Sequence, residues 1–188
     1  MAMITLIFVM DKSYTAIIGL ISAFIHEIGH LIAIYLTKGK IKQVTFGLIN
    51  VDIVKEDYTL NSNIKNELLI FSSGPLINFI IALIFGFLNT TNNSELYKLI
   101  SYQNIFLGIV NLLPINSLDG GKILESILSR KLEYNLSERI LSITSFIFLV
   151  PLCTLGILVL IKSKYNFSLL ILGCYLISYI LIGENNLK

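Results

Sequence analysis

The chain has 188 residues and a formal net charge of +2, with 55% hydrophobic and 14% charged residues, and its mean hydropathy is +0.80. Soluble domains average about 25% charged and about 45–50% apolar residues, so these values exclude an ordinary soluble enzyme, and the near-neutral charge points away from nucleic acid as a partner. They fit an α-helical polytopic membrane protein.

Residues 1–10, "MAMITLIFVM", are apolar but too short to span as a helix and lack the shape of a signal peptide. They read as a helix stump or an interfacial strand. Residues 13–36 form the first apolar segment of bilayer length. Residues 37–67 are polar, and within them "IKQVTFGLINVDIV" at 41–54 alternates with period two through Val44, Phe46 and Leu48, then Val51 and Ile53. That pattern predicts a small hairpin at the membrane surface, with a turn near Ile49-Asn50. Further apolar runs follow at about 68–88, 99–115, 140–161 and 166–183, which gives about five long helices. Tyr14, Tyr35, Tyr97 and Tyr165 stand near segment ends, where interfacial aromatics belong.

If all five segments span, the 37–67 loop, the 116–139 loop and the C-terminus share one side. That side carries ten of the fourteen Lys and Arg residues, and the positive-inside rule makes it cytoplasmic. The whole chain, 1–188, reads as a single membrane-embedded domain with no internal repeat. Its motif-bearing core lies at about 13–130 and a helical pair at about 140–183. Cys153 and Cys174 sit inside apolar runs and read as small buried hydrophobes.

The chemistry concentrates in "FIHEIGHLIA", residues 24–33, which holds both histidines of the chain. Residues four apart share a helix face, so His26 and His30 can present two imidazoles to one ion. Glu27 can reach a water on that ion as a general base, which is the mechanical content of H-E-x-x-H. Ionisable residues inside a membrane segment are costly and functional by default. A catalytic zinc takes a third protein ligand, and Asp119 in "NLLPINSLDGGKIL", residues 111–124, is the candidate. The plain alternative for Asp119 is the N-cap of a surface helix. Two rival functions stay open: a membrane metal transporter or sensor, and a catalytically inactive relative that binds membrane segments.

"HEIGH", "FSSGPLINF" at 71–79 and "NLLPINSLDGG" together resemble the site-2 protease family of intramembrane zinc metalloproteases, most of all its stage IV sporulation protein FB branch. The resemblance implies one Zn²⁺ per chain on His26, His30 and Asp119, with Glu27 as the general base. It implies a membrane-tethered protein substrate, with a sigma-factor precursor as the sporulation-branch case, and cleavage in or near its transmembrane segment. The location it implies is a bacterial cytoplasmic membrane, with the site nearer the cytoplasmic side. Asn78 and Asn111 become candidates to steady an oxyanion or the substrate backbone. Each could instead satisfy backbone groups freed by Gly74-Pro75 or Pro114. Val44, Phe46 and Val51 become candidates to receive an unwound substrate as an added strand. Three departures stand out: Ser117 occupies a position that is often proline, only the 1–10 stump precedes the histidine helix, and no soluble accessory domain follows. A membrane regulatory partner is the corresponding expectation.

Overall fold

The computed structural model describes residues 15–37, 41–46, 51–55 and 64–163, together with Gly173. In chain order these are α1 (Thr15–Leu36), β1 (Ile41–Phe46), β2 (Val51–Lys55), α2 (Ile64–Asn92), α3 (Glu95–Asn111), α4 (Asp119–Leu128) and α5 (Tyr134–Ser163). The protein is a helical membrane protein with one small hairpin. The 1–10 segment, the turn at Ile49-Asn50 and, apart from Gly173, the run at 166–183 lie outside the described residues.

Three of the described helices are long and apolar enough to cross a membrane: Ile17–Leu36, Ile64–Asn92 and Tyr134–Leu158. The apolar run at 99–115 becomes α3, which has 17 residues and starts and ends four residues earlier. It closes at Asn111 because Pro114 lies just ahead, and residues approaching a proline are pushed out of the α region. The Leu112 amide still bonds back to the Gly108 and Ile109 carbonyls, at 3.2 Å each, so the helix end is not left bare.

The chain divides into two compact units, Met1–Leu112 and Leu113–Lys188. In the first, α1 buries Ser22, Ala23, His26, His30, Ala33 and Ile34, while Ile17, Leu20, Ile21, Phe24, Leu31 and Ile32 face outward. The buried set follows the i, i+3/i+4 spacing of one helix face. Polarity is inverted relative to a soluble protein: small and polar side chains lie inside, and large apolar ones face the lipid. That is the expected solution where lipid is as apolar as leucine and close packing must hold the helices together.

The contact of α1 with α2 rests on glycine. A β-carbon on Gly29 would lie 2.9 Å from the Ser73 carbonyl oxygen and 3.2 Å from the Gly74 α-carbon. No larger residue lets the two backbones approach so closely. Helix α2 buries Ile70, Gly74, Asn78 and Ala82, one residue per turn, along a single stripe. It ends at Asn93, whose φ of 46° is the left-handed conformation that asparagine tolerates. The chain then turns directly into α3. There Ser101 donates to the Ala82 carbonyl at 2.8 Å, and Phe79 packs on Gly108 closely enough that a β-carbon would meet its ring at 2.9 Å.

The hairpin pairs β1 with β2 antiparallel. Val44 stands opposite Ile53 and Phe46 opposite Val51, with a register shift between Ile41 and Gln43. The period-two reading of 41–54 therefore matches the strand pair. In the second unit, α5 carries a row of outward Ile143, Phe146, Ile147, Val150 and Leu155, with Leu141, Ser145, Leu149 and Leu152 buried.

Replacing Gly29 with leucine must push α1 away from α2. The expected result is a loss of about 1–3 kcal/mol of stability, read as a lower thermal midpoint in detergent. An unchanged midpoint would show that the glycine contact is not a packing constraint.

Candidate metal centre

His26 and His30 lie one turn apart on α1 and are 1% and 8% exposed. Their rings meet edge to face, with centroids 4.9 Å apart and planes at 77°. The two Nε2 atoms stand 3.2 Å apart. His30 Nδ1 lies 2.8 Å from the Ile70 carbonyl oxygen. A carbonyl only accepts, so Nδ1 carries the proton and Nε2 keeps its lone pair for an ion. Two nitrogens bound at about 2.0–2.1 Å to a tetrahedral zinc are separated by about 3.3 Å. The pair fits that ion.

Helix α2 builds this arrangement. Gly74 lies against both imidazoles: a β-carbon there would fall within 2.8 Å of His26 Nε2 and Cε1 and would collide with His30 Nε2. Pro75, which follows it, has no N–H to give the Phe71 carbonyl. The neighbouring Ile70 carbonyl accepts from two side chains, His30 Nδ1 and Ser73 Oγ, the latter at 2.6 Å. The helix thus gives the histidine a fixed acceptor exactly one turn above the glycine gap that admits its ring.

In the second unit, Asp119 is the first residue of α4, and Leu118, not Asp119, is the N-cap. Asp119 is 8% exposed. The plain reading of it as a surface N-cap is therefore corrected: it is a buried carboxylate in the first helical turn, where the helix dipole favours negative charge. The preceding loop is held by Leu118 N to Ile115 O at 2.8 Å and by Asn116 N to Ser145 Oγ at 2.9 Å. A β-carbon on Gly121 would run into the Ile115 carbonyl, so the turn needs a residue without one. Ser117, in the position that departs from the family pattern, is buried within this turn, and its Oγ has no partner among the described residues.

Glu27 adjoins His26 on α1 and is half-buried. Asn78 lies on the Gly74 stripe of α2, fully buried, and neither its Oδ1 nor its Nδ2 has a hydrogen-bond partner among the described residues. It is not spent on the backbone around Pro75. Asn111 is buried at the end of α3, and its Nδ2 donates to the Leu107 carbonyl at 2.9 Å, the backbone-satisfying role. Val44, Phe46 and Val51 all lie on the hairpin strands. Sequence reasoning missed Gly29, Ser22 and Asn104. Their signal was present as small and polar residues at helical spacing from the histidines and Asn111.

A family model described as peptidase family M50 matches residues 88–152, the part of the chain that carries Asp119. Zinc metalloprotease MJ0392 of Methanocaldococcus jannaschii is 29% identical over 77% of this chain and 44% of its own length. Stage IV sporulation protein FB of Bacillus subtilis is 28% identical over 69% of this chain and 45% of its own length. The chain thus spans less than half of these curated relatives. The solved site-2 protease from Methanocaldococcus jannaschii superposes with a TM-score of 0.65 at 25% identity, covering 92% of this chain and 80% of that one. These similarities agree with the three sequence motifs and with the helical membrane fold.

In a site-2 protease fold whose histidine rings are seated by a glycine, the added methyl of Gly74→Ala should displace both Nε2 atoms. Zinc affinity is expected to fall by about tenfold or more, the range for disturbing ligand support, with helicity unchanged. Titration with a zinc indicator beside far-ultraviolet circular dichroism checks it; wild-type affinity in the variant would refute the seating role.

Proposed function

We propose that this chain is the membrane-embedded catalytic domain of a zinc metalloendopeptidase that cleaves a membrane-tethered protein in or near its transmembrane segment. The observation that carries the reading is the histidine pair: two buried Nε2 atoms at ligand spacing, one fixed in its tautomer by the Ile70 carbonyl. In this reading His26, His30 and Asp119 hold the ion, and the two units act as one domain. The HEIGH and LDGG motifs, the order in which they occur and the burial of all three residues support it.

Bound zinc would act as a Lewis acid, bringing the pKa of an attacking water to about 7 and polarising the scissile carbonyl. The chain's own residues do the rest. Glu27 takes the proton from the water as the oxygen attacks and passes it to the amine nitrogen as the C–N bond breaks. Asn78, with an uncommitted amide, steadies the negative oxygen or the substrate backbone, and Asn111 has only its second N–H to add, since the first is held by the Leu107 carbonyl. A peptide bond inside a helix is shielded, so the substrate must unwind. An outer edge of the β1–β2 hairpin, β1 at Val44 and Phe46 or β2 at Val51, accepts it as an added strand.

The bias of basic residues toward the 37–67 and 116–139 loops supports a bacterial cytoplasmic membrane with the site nearer the cytoplasmic face. Similarity to stage IV sporulation protein FB makes a sporulation substrate, such as a membrane-bound sigma-factor precursor, the first to try. A membrane partner is the corresponding source of regulation.

Metal analysis of purified protein separates the roles. Wild type and Glu27→Gln should each hold about one zinc per chain, while Asp119→Ala should bind it at least about tenfold more weakly. Cleavage of a membrane-tethered reporter should vanish in Glu27→Gln. Retained cleavage there would end the protease reading, and a transporter would show zinc uptake insensitive to this change. Proline at Val44 or Val51 should lower cleavage with zinc content intact, as expected when a strand edge is blocked; full cleavage in both variants would remove the hairpin from substrate binding.

A further inference from the structure

The first unit holds a second polar cluster, one turn along α1 from the histidines. Ser22, Asn78 and Asn104 are 4%, 0% and 0% exposed. Asn104 on α3 donates through Nδ2 to Ser22 Oγ at 2.9 Å and to the Ile100 carbonyl at 2.9 Å. Its Oδ1 has no partner among the described residues, and neither polar atom of Asn78 has one.

The packing register brings the three together. Helices α1 and α2 run antiparallel: His30 meets Ile70, Gly29 meets Ser73, and His26 meets Gly74. One turn further, the same register sets Ser22 opposite Asn78. From the other side, α3 runs antiparallel to α2, with Ser101 on Ala82 and Gly108 on Phe79. Asn104 falls between those contacts, and its bond to Ser22 draws it to the level that the α1–α2 register gives Asn78. The register thus sets three buried side chains from three helices near one level, with two acceptor oxygens and one NH₂ group uncommitted.

We propose that Ser22, Asn78 and Asn104 form a buried water-binding site. Leaving a buried amide unpaired costs about 1–3 kcal/mol per group, and in lipid no bulk solvent relieves it. An internal water makes about three hydrogen bonds to such groups. Here Asn78 Nδ2 donates to it, and it donates in turn to the Oδ1 atoms of Asn78 and Asn104. All three groups are neutral, which favours water over a metal cation. The site lies about 6 Å along the helix axis from His26, at four residues of 1.5 Å each. If the proposed hydrolysis holds, this is a store of solvent at membrane depth beside the chemistry.

Nuclear magnetic resonance on the full chain in detergent micelles, labelled with ¹⁵N at asparagine, tests occupancy without relying on zinc or cleavage. The Asn78 and Asn104 side-chain NH₂ signals are assigned by their loss in Asn78→Ser and Asn104→Ser. In wild type the Asn78 NH₂ group should show a nuclear Overhauser contact to a long-lived water, and so should Asn104. In Asn78→Ser, which keeps a polar partner, the Asn104 contact should persist. In Asn78→Leu it should be lost. Overhauser contacts from the two amides only to each other or to helix protons would overturn the proposal, by showing that they pair directly. If Asn78→Leu does not fold, the wild-type and Asn78→Ser spectra still decide it.

Discussion

The close approach of two helix backbones, α1 at Gly29 and α2 at Gly74, is the constraint on which the candidate metal centre depends. His26 and His30 flank Gly29, so whatever seats that glycine on Ser73 also sets the depth of both rings. Gly74 then supplies the room the rings occupy. The Ile70 carbonyl holds Nδ1 of His30, which leaves Nε2 turned toward His26. Backbone proximity, ring orientation and tautomer follow from one contact, and each fails if a side chain separates the helices.

Burial of apolar surface cannot drive this assembly, because the outward faces of α1, α2 and α5 are richer in large apolar residues than the inward ones. The three described helices of the first unit instead meet through glycines and through bonds such as Ser101 to Ala82 and Asn104 to Ser22. Such bonds in membrane proteins are worth about 0.6 kcal/mol on average. The polar interior is therefore only modestly stabilising. What it contributes is register, since Ser101 and Asn104 reach their partners at a single helix alignment.

Much of this was legible in the sequence. H-E-x-x-H places His26 and His30 on one helix face through periodicity alone, and the break and glycine pair around Asp119 marked it as a candidate, whereas its burial shows only in the fold. The hairpin was legible because alternation with period two survives without any knowledge of its neighbours. Gly29 and Gly74 as contact points were not, because a glycine in a helix has no sequence mark that separates close packing from weak propensity. Asn104 was missed for a related reason: a lone amide in an apolar run gains meaning only when a second helix brings Ser22 to it. The end of α3 was set too late, since hydropathy continues through Leu112 and Leu113 while the backbone is already preparing for Pro114.

The tight turn at Asn93 has a consequence for how the protein enters a membrane. Because α2 passes into α3 with almost no linker, the two are delivered to the bilayer as a helical hairpin. Within that pair Ser101 reaches the Ala82 carbonyl, and Asn78 and Asn104 enter beside a second helix and not alone. A single helix carrying Asn78 would have to expose its amide to hydrocarbon, at a cost of several kcal/mol. The left-handed residue that ends α2 thereby acts on biogenesis, lowering the barrier to placing polar groups where the folded protein later needs them.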